Sequence, residues 1–255
     1  MNFTEEQKRI FRFVQEESGH GVIDAVAGAG KTTTIMECAR YAPNSNSTLF
    51  CAFNKSIAKE INKKFREKGH LGVVVKTVHA LGFQILRDNN KTAKSIELES
   101  KKYRNLLEDK NIQKKLKPYF KKIVKINGYT IESKEDWRSF AVTNILRKAT
   151  NKLIEANEKF RATLTRNNLD EFIHLVKHYR IFQKIEVDKK DFLKEMKAYF
   201  KCHQILLKEG NSYSDRTMKI DLTDMLYLPA KWEQFPAQKF DFVFIDDLCF
   251  GNLIM

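Results

Sequence analysis

The feature that most limits what this chain can fold into is Ala25-Val26-Ala27-Gly28-Ala29-Gly30-Lys31-Thr32, set between an apolar run and a helical pattern. Val22-Ile23-Asp24-Ala25-Val26 reads as a buried strand, and Lys31 to Tyr41 as the helix after it. In that context a glycine-containing turn lets backbone N–H groups point inward around phosphate oxygens. The start of the helix adds unpaired N–H groups and a favourable dipole. Lys31 reaches terminal phosphates as a point charge, and the Thr32 hydroxyl suits Mg²⁺. The expected ligands are therefore ATP and Mg²⁺, with Ala27, Gly28, Ala29, Gly30, Lys31, Thr32 and Thr33 around the nucleotide. The general pattern opens on Gly. Ala25 stands there in this chain, and a small residue suffices if its φ need not be positive.

The flanking segments extend the pattern. Thr48-Leu49-Phe50-Cys51-Ala52-Phe53 reads as a second strand, followed by a helix through Ile57, Ile61 and Phe65, and Gly72 to Thr77 as a third strand. Strands alternating with helices imply βαβ units and a parallel sheet. Near the other end, Phe240 to Ile245 is again an apolar strand and runs into Asp246-Asp247. An Asp at that position is the expected second Mg²⁺ ligand of a phosphate-binding-loop ATPase. The middle is different in texture. Phe192, Met196, Tyr199 and Phe200 recur at helical spacing, and Gly128 and Gly210 are its two glycines. The expected organisation is an α/β lobe from 1–86 plus 215–255, with a mostly helical, basic insert at 87–214.

Charge points to an anionic partner. The chain has 46 Lys and Arg against 32 Asp and Glu, a net charge of +14, which favours nucleic acid. Residues 101 to 125 concentrate it, with ten basic side chains against Glu108 and Asp109 and with Tyr103, Tyr119 and Phe120 interleaved. Lysines supply sequence-independent affinity for phosphates and aromatics can stack on unpaired bases. Lys114, Lys115, Lys121 and Lys122 are the candidate contacts; the alternative is a solvated helix face. Cys38, Cys51, Cys202 and Cys249 are scattered, which argues against structural zinc and for a reducing compartment. The polar, acidic N-terminus and the lack of a long apolar run argue against a signal peptide and a membrane span. A cytoplasmic protein, or a nuclear one, is expected.

Taken with four other segments, Ala25 to Thr32 resembles the Walker A motif of UvrD/Rep-like superfamily 1 DNA helicases. Phe3 to Gln7 resembles that family's Q motif, which implies that Gln7 reads adenine. Leu49 to Lys55 resembles motif Ia, which implies that Phe53, Asn54 and Lys55 touch single-stranded DNA. Thr77 to Gly82 resembles the next DNA-contacting motif, with Thr77 and His79 in the matching places. Ile220 to Met225 resembles the acidic stretch before Walker B. The resemblance implies a RecA-like lobe that hydrolyses ATP to drive DNA unwinding. Each residue also has a structural alternative: an exposed helix position for Gln7, core packing for Phe53 and His79, and a framework role for Asp224.

The family departs from this chain after Asp246. It has Glu next and Gln two residues later; here Asp247 and Cys249 stand there. Asp247 keeps a carboxylate as the catalytic base but is one methylene short, and a shift of about 1 Å can lose a hundredfold in rate. The sequence ends at Met255, ahead of the family's second lobe and its arginine finger. The expectation is the ATP-binding part of a helicase that does not unwind DNA alone. The alternative is an ATP- and single-stranded-DNA-binding module with little turnover. A small-molecule kinase is disfavoured by the DNA-type motifs.

Overall fold

The computed structural model describes residues 3–16, 19–26, 28–42, 47–91, 94–182 and 189–246. The chain divides into two compact units, Met1–Asn89 with Phe235–Met255, and Asn90–Gln234. It is a mixed α/β protein with a small parallel sheet and many helices.

The first unit holds helices α1 (Glu5–Glu16), α2 (Lys31–Tyr41), α3 (Lys55–Glu67) and α4 (Val78–Asp88) and strands β1 (Thr48–Ala52) and β2 (Val74–Thr77). A further strand, Phe242–Ile245, comes from the far end of the chain. Strand β1 lies in the middle, parallel to both neighbours, with Ala52 opposite Thr77 and Cys51 opposite Ile245. All five β1 residues are buried, as a central strand with both faces covered requires. Ile35, Met36 and Ala39 of α2 and Ile61 and Phe65 of α3 join Phe50 and Ala52 in one core. The Phe50 and Phe65 rings meet edge-on at 5.7 Å.

The segment 22–26 departs from expectation. It forms no strand. Ile23 packs against the core, but Val22 is 91% and Val26 79% exposed. The apolar run suggested burial on both faces. Burial instead alternates along the segment, so one face touches the core and the backbone joins no ladder.

The second unit is helical: α5 (Lys102–Glu108), α6 (Lys110–Ile126), α7 (Phe140–Ala162), α8 (Leu169–His178), α9 (Lys189–Thr217) and α10 (Asp224–Lys231). Strands β3 (Glu97–Leu98) and β4 (Lys219–Ile220) pair in parallel; β5 below is the Phe242–Ile245 strand of the first unit. Helices α6 and α9 run antiparallel, joined by Lys115–Glu209 at 2.6 Å and Asn127–Glu195 at 3.5 Å. A charged cluster lies inside this unit. Lys102 Nζ donates to Asp224 Oδ2 and Ser214 Oγ, each at 2.6 Å. Arg161 grips Asp221 with two hydrogen bonds of 2.7 and 2.8 Å and reaches Asp224 Oδ1 at 2.7 Å. These bonds hold residues 215–234 in the helical unit, although their texture suggested the α/β lobe.

The same cluster corrects two assignments in the basic stretch. Lys102 is fully buried and neutralised by Asp224, and Tyr103 is buried beneath the Arg161 guanidinium, 4.1 Å from its ring centroid. Neither is open to solvent. Gly210 is explained here too: a Cβ on it would lie 2.4 Å from the Tyr103 hydroxyl.

Candidate functional site

The glycine loop opens α2 with an uncommon backbone. Gly28 has φ 81° and Gly30 φ 76°, the left-handed region that favours glycine. A Cβ on either would meet nothing within 4 Å, so the backbone angle and not crowding selects glycine. Gly30 is the N-cap of α2, and no side chain caps that end among the described residues. The first N–H groups of α2 thus lack a side-chain acceptor. Lys31 Nζ folds back to donate to the Ala25 carbonyl at 2.9 Å. Lys31 and Thr32 are half-buried and Thr33 is exposed. Ala27 lies outside the described residues.

Gln7 is tied to this loop. Its side chain accepts from Thr4 N at 3.0 Å while Gln7 N donates to Thr4 Oγ1 at 3.3 Å, a reciprocal cap at the start of α1. Gln7 Nε2 also donates to Thr34 Oγ1 at 2.9 Å, and Thr34 Oγ1 donates to the Gly30 carbonyl at 3.0 Å. Thr34 was not singled out in the sequence. The Thr-x-x-Gln spacing of Thr4 and Gln7 was a readable signal for the cap, but nothing local signalled the partner on α2.

The three parallel strands end along one edge. Asp246 follows β5 and donates its backbone N–H to the Cys51 carbonyl at 2.9 Å. Its side chain is buried, at 3% exposure, and Oδ1 has no hydrogen-bond partner among the described residues. A buried carboxylate oxygen left unpaired is costly, and a cation is the ligand that suits it. Asp247 and Cys249 lie outside the described residues. Beyond β1 come Phe53, Asn54 and Lys55, all exposed, with Phe53 at 54%. Thr77 ends β2 and His79 follows it, both half-buried. Ligands of open α/β sheets gather at this carboxyl edge.

Two of these residues have structural duties. Asn54 caps α3 by accepting from Ile57 N at 2.9 Å, and Thr77 caps α4 by accepting from Ala80 N at 3.1 Å. Burial holds His79 below its ordinary value, which favours the neutral ring. Burial pushes the thiols of Cys51 and Cys38 up to about 11 and about 12, so both stay protonated and unreactive at neutral pH.

Residues 3–248 match the family model of the UvrD/REP helicase N-terminal domain. The chain belongs to this family. No curated protein and no solved structure matches it. Helicases of the UvrD/REP family use ATP and Mg²⁺ and bind DNA in general. In this UvrD/REP member, Gln7, the glycine loop, Asp246, and the Phe53 and Thr77 segments all belong to the first unit. Lys114, Lys115, Lys121 and Lys122 lie exposed on α6 of the second. Lys115 is engaged by Glu209, and Lys122 lies over the Tyr119 ring at 5.8 Å. Among the described residues no helix is long and apolar enough to cross a membrane, and no cluster of three or more His, Cys, Asp or Glu is placed to hold a metal.

Proposed function

We propose that the chain is the RecA-like, ATP-binding lobe of a DNA helicase, carrying its helical unit as an insert. The observation that carries this reading is the uncapped start of α2 behind two left-handed glycines. That arrangement presents N–H donors and the positive end of the helix dipole to a polyphosphate. Lys31 would exchange the Ala25 carbonyl for the terminal phosphate oxygens. The hydroxyl of Thr32 and the unpaired oxygen of Asp246 fit Mg²⁺, which when bound supplies charge neutralisation at the phosphates. Gln7 would read adenine, and Ala27 to Thr33 would line the phosphates. Asp247 would orient the attacking water. Phe53, Asn54, Lys55, Thr77 and His79 would meet single-stranded DNA at the carboxyl edge, and Lys114, Lys115, Lys121 and Lys122 its phosphates on the insert.

The sequence after Asp246 supports a second reading. With Asp247 short by a methylene and Cys249 unable to act as an amide donor and acceptor, the chain would hold ATP and single-stranded DNA with little turnover. ATP hydrolysis measured with and without single-stranded DNA separates the two readings. Stimulated turnover that Lys31→Ala abolishes supports the motor lobe. Tight ATP binding with background turnover supports the binding module, and no ATP binding sinks both.

A further inference from the structure

A glutamine amide keeps nearly the same shape with its oxygen and nitrogen exchanged, so its neighbours decide which end points where. Two neighbours act on Gln7. The backbone N–H of Thr4 is a donor only, and it takes the amide oxygen at 3.0 Å. Thr34 Oγ1 accepts from Nε2 at 2.9 Å. A hydroxyl can in general donate or accept. This one has its single proton on the Gly30 carbonyl at 3.0 Å, and the same carbonyl also accepts from Thr34 N at 2.9 Å. Thr34 Oγ1 therefore offers Gln7 lone pairs alone, and only the amide nitrogen can face it. Both contacts demand one orientation of the amide.

The threonine that sets the inner end is buried. Thr34 is 3% exposed, while Thr33 beside it is open to solvent. A helical threonine whose hydroxyl bonds back to the carbonyl four residues before it is ordinary. Here the hydroxyl also accepts from a side chain 27 positions earlier, on another helix. Gly30, which holds the proton, opens α2 at φ 76°. One hydroxyl thus ties Gln7 to the phosphate-type loop.

We infer that Thr34 is a positioning residue for base selection, acting through Gln7. The inference rests on the reading of this site as an ATP site with Gln7 at the base. Once Thr4 and Thr34 have taken one lone pair and one N–H, the amide keeps one of each for a ligand. Adenine carries an acceptor, N7, beside a donor, the N6 amino group, and a glutamine amide pairs with both. Guanine has the acceptor O6 in place of that donor, so it would set an acceptor against the amide oxygen. An amide held still rejects guanine. An amide free to turn over can meet O6 with its nitrogen, and the preference fades.

The test is calorimetric titration of the full chain with Mg-ATP, Mg-GTP and inorganic tripolyphosphate. Thr34→Val keeps the shape and loses the acceptor. Its ATP affinity should fall about fivefold, in the range that one hydrogen bond supplies, while GTP and tripolyphosphate affinities stay within about twofold. Thr34→Ser keeps the hydroxyl and should restore the preference for ATP. Thr34→Ala, which also lacks the acceptor and introduces no bulk, gives the same readout if the valine variant does not fold. Circular dichroism melts verify folding of each.

Parallel losses of ATP and tripolyphosphate binding would overturn the inference and leave Thr34 as a support of the loop. Undiminished preference for ATP in Thr34→Val, or no recovery in Thr34→Ser, would overturn it as well. Equal affinity of the wild type for ATP and GTP would overturn it while leaving the phosphate site intact. Absence of ATP binding by the wild type would overturn both the inference and the site reading beneath it.

Discussion

Gln7 Nε2 donates a hydrogen bond of 2.9 Å to Thr34 Oγ1, joining the start of α1 to the first turn of α2. With Thr4 N on its carbonyl oxygen, both ends of the Gln7 amide are engaged inside the protein. An adenine read by Gln7 would use the second N–H and the second lone pair of the amide, which these two bonds leave over. Nucleotide binding would then leave in place both the α1 cap and the tie to Thr34, whose hydroxyl rests on the Gly30 carbonyl.

That relationship gives the first prediction. Gln7→Ala removes both bonds and should lower stability by about 1 kcal/mol, with a several-fold loss of ATP affinity. Gln7→Glu keeps an acceptor for Thr4 N but has no donor for Thr34 or adenine. It should recover most of the stability while losing preference for ATP over GTP. Melting curves and calorimetry with both nucleotides check this; full ATP preference in Gln7→Glu would remove Gln7 from the site.

The second concerns the loop and the strand edge. Lys31→Ala should abolish measurable ATP binding or weaken it at least a hundredfold, because a charge-assisted contact to the terminal phosphates is lost. The melting temperature should barely change, since Lys31 makes a single bond to Ala25 O. Asp246→Asn should spare metal-free nucleotide binding and reduce its enhancement by Mg²⁺. Equal Mg²⁺ enhancement in wild type and variant would mean that the unpaired oxygen serves no cation.

The third concerns the buried cluster of the helical unit. Asp224→Ala strands Lys102 without its partner and takes one acceptor from Arg161. Breaking a buried pair this way costs about 3–5 kcal/mol. The double change Lys102→Met with Asp224→Asn should lose distinctly less, because no lysine charge remains buried alone. Urea unfolding gives both values, and a double variant worse than Asp224→Ala would contradict the account.

The fourth concerns pH. His203 packs among Phe160, Phe172 and Phe200. Burial, and secondarily the Arg161 charge, pushes its pKa from 6.5 down to about 3. Between those values the unfolded chain binds a proton that the folded chain refuses. Stability attributable to a neutral His203 is therefore complete above about pH 6.5 and falls as the pH drops toward 3. Asp221 acts further down. Burial raises its carboxyl but the Arg161 hydrogen bonds and charge outweigh that, so its stabilisation is lost only below the ordinary Asp value of 3.8. His203→Gln should flatten the decline between pH 6.5 and 4, as seen in urea midpoints. An unchanged pH profile would place the sensitivity elsewhere.

Much of the first unit could be read from sequence because its signals are local. Thr48 to Ala52 is apolar on both faces and became the central strand. Asn54 and Thr77 precede helices and cap them, while Gly28 and Gly30 hold left-handed angles that other residues resist. The expectation failed at Val22 to Val26, where an apolar run cannot say whether a hydrogen-bonding neighbour exists on either side. It also failed at Lys102, counted as a surface charge, because burial depends on an Asp 122 residues away.

What the sequence determined by itself is the phosphate-type loop, the alternation of strand and helix around it, and the family. These depend on backbone angle, periodicity and residue order, which are encoded over a few residues at a time. Tertiary structure decided which polar atoms found partners. It gave Gln7 to Thr34, folded Lys31 back onto Ala25, buried Lys102 against Asp224 and left Asp246 Oδ1 unpaired. Such pairings follow from the packing of elements distant along the chain, and no local pattern contains that distance.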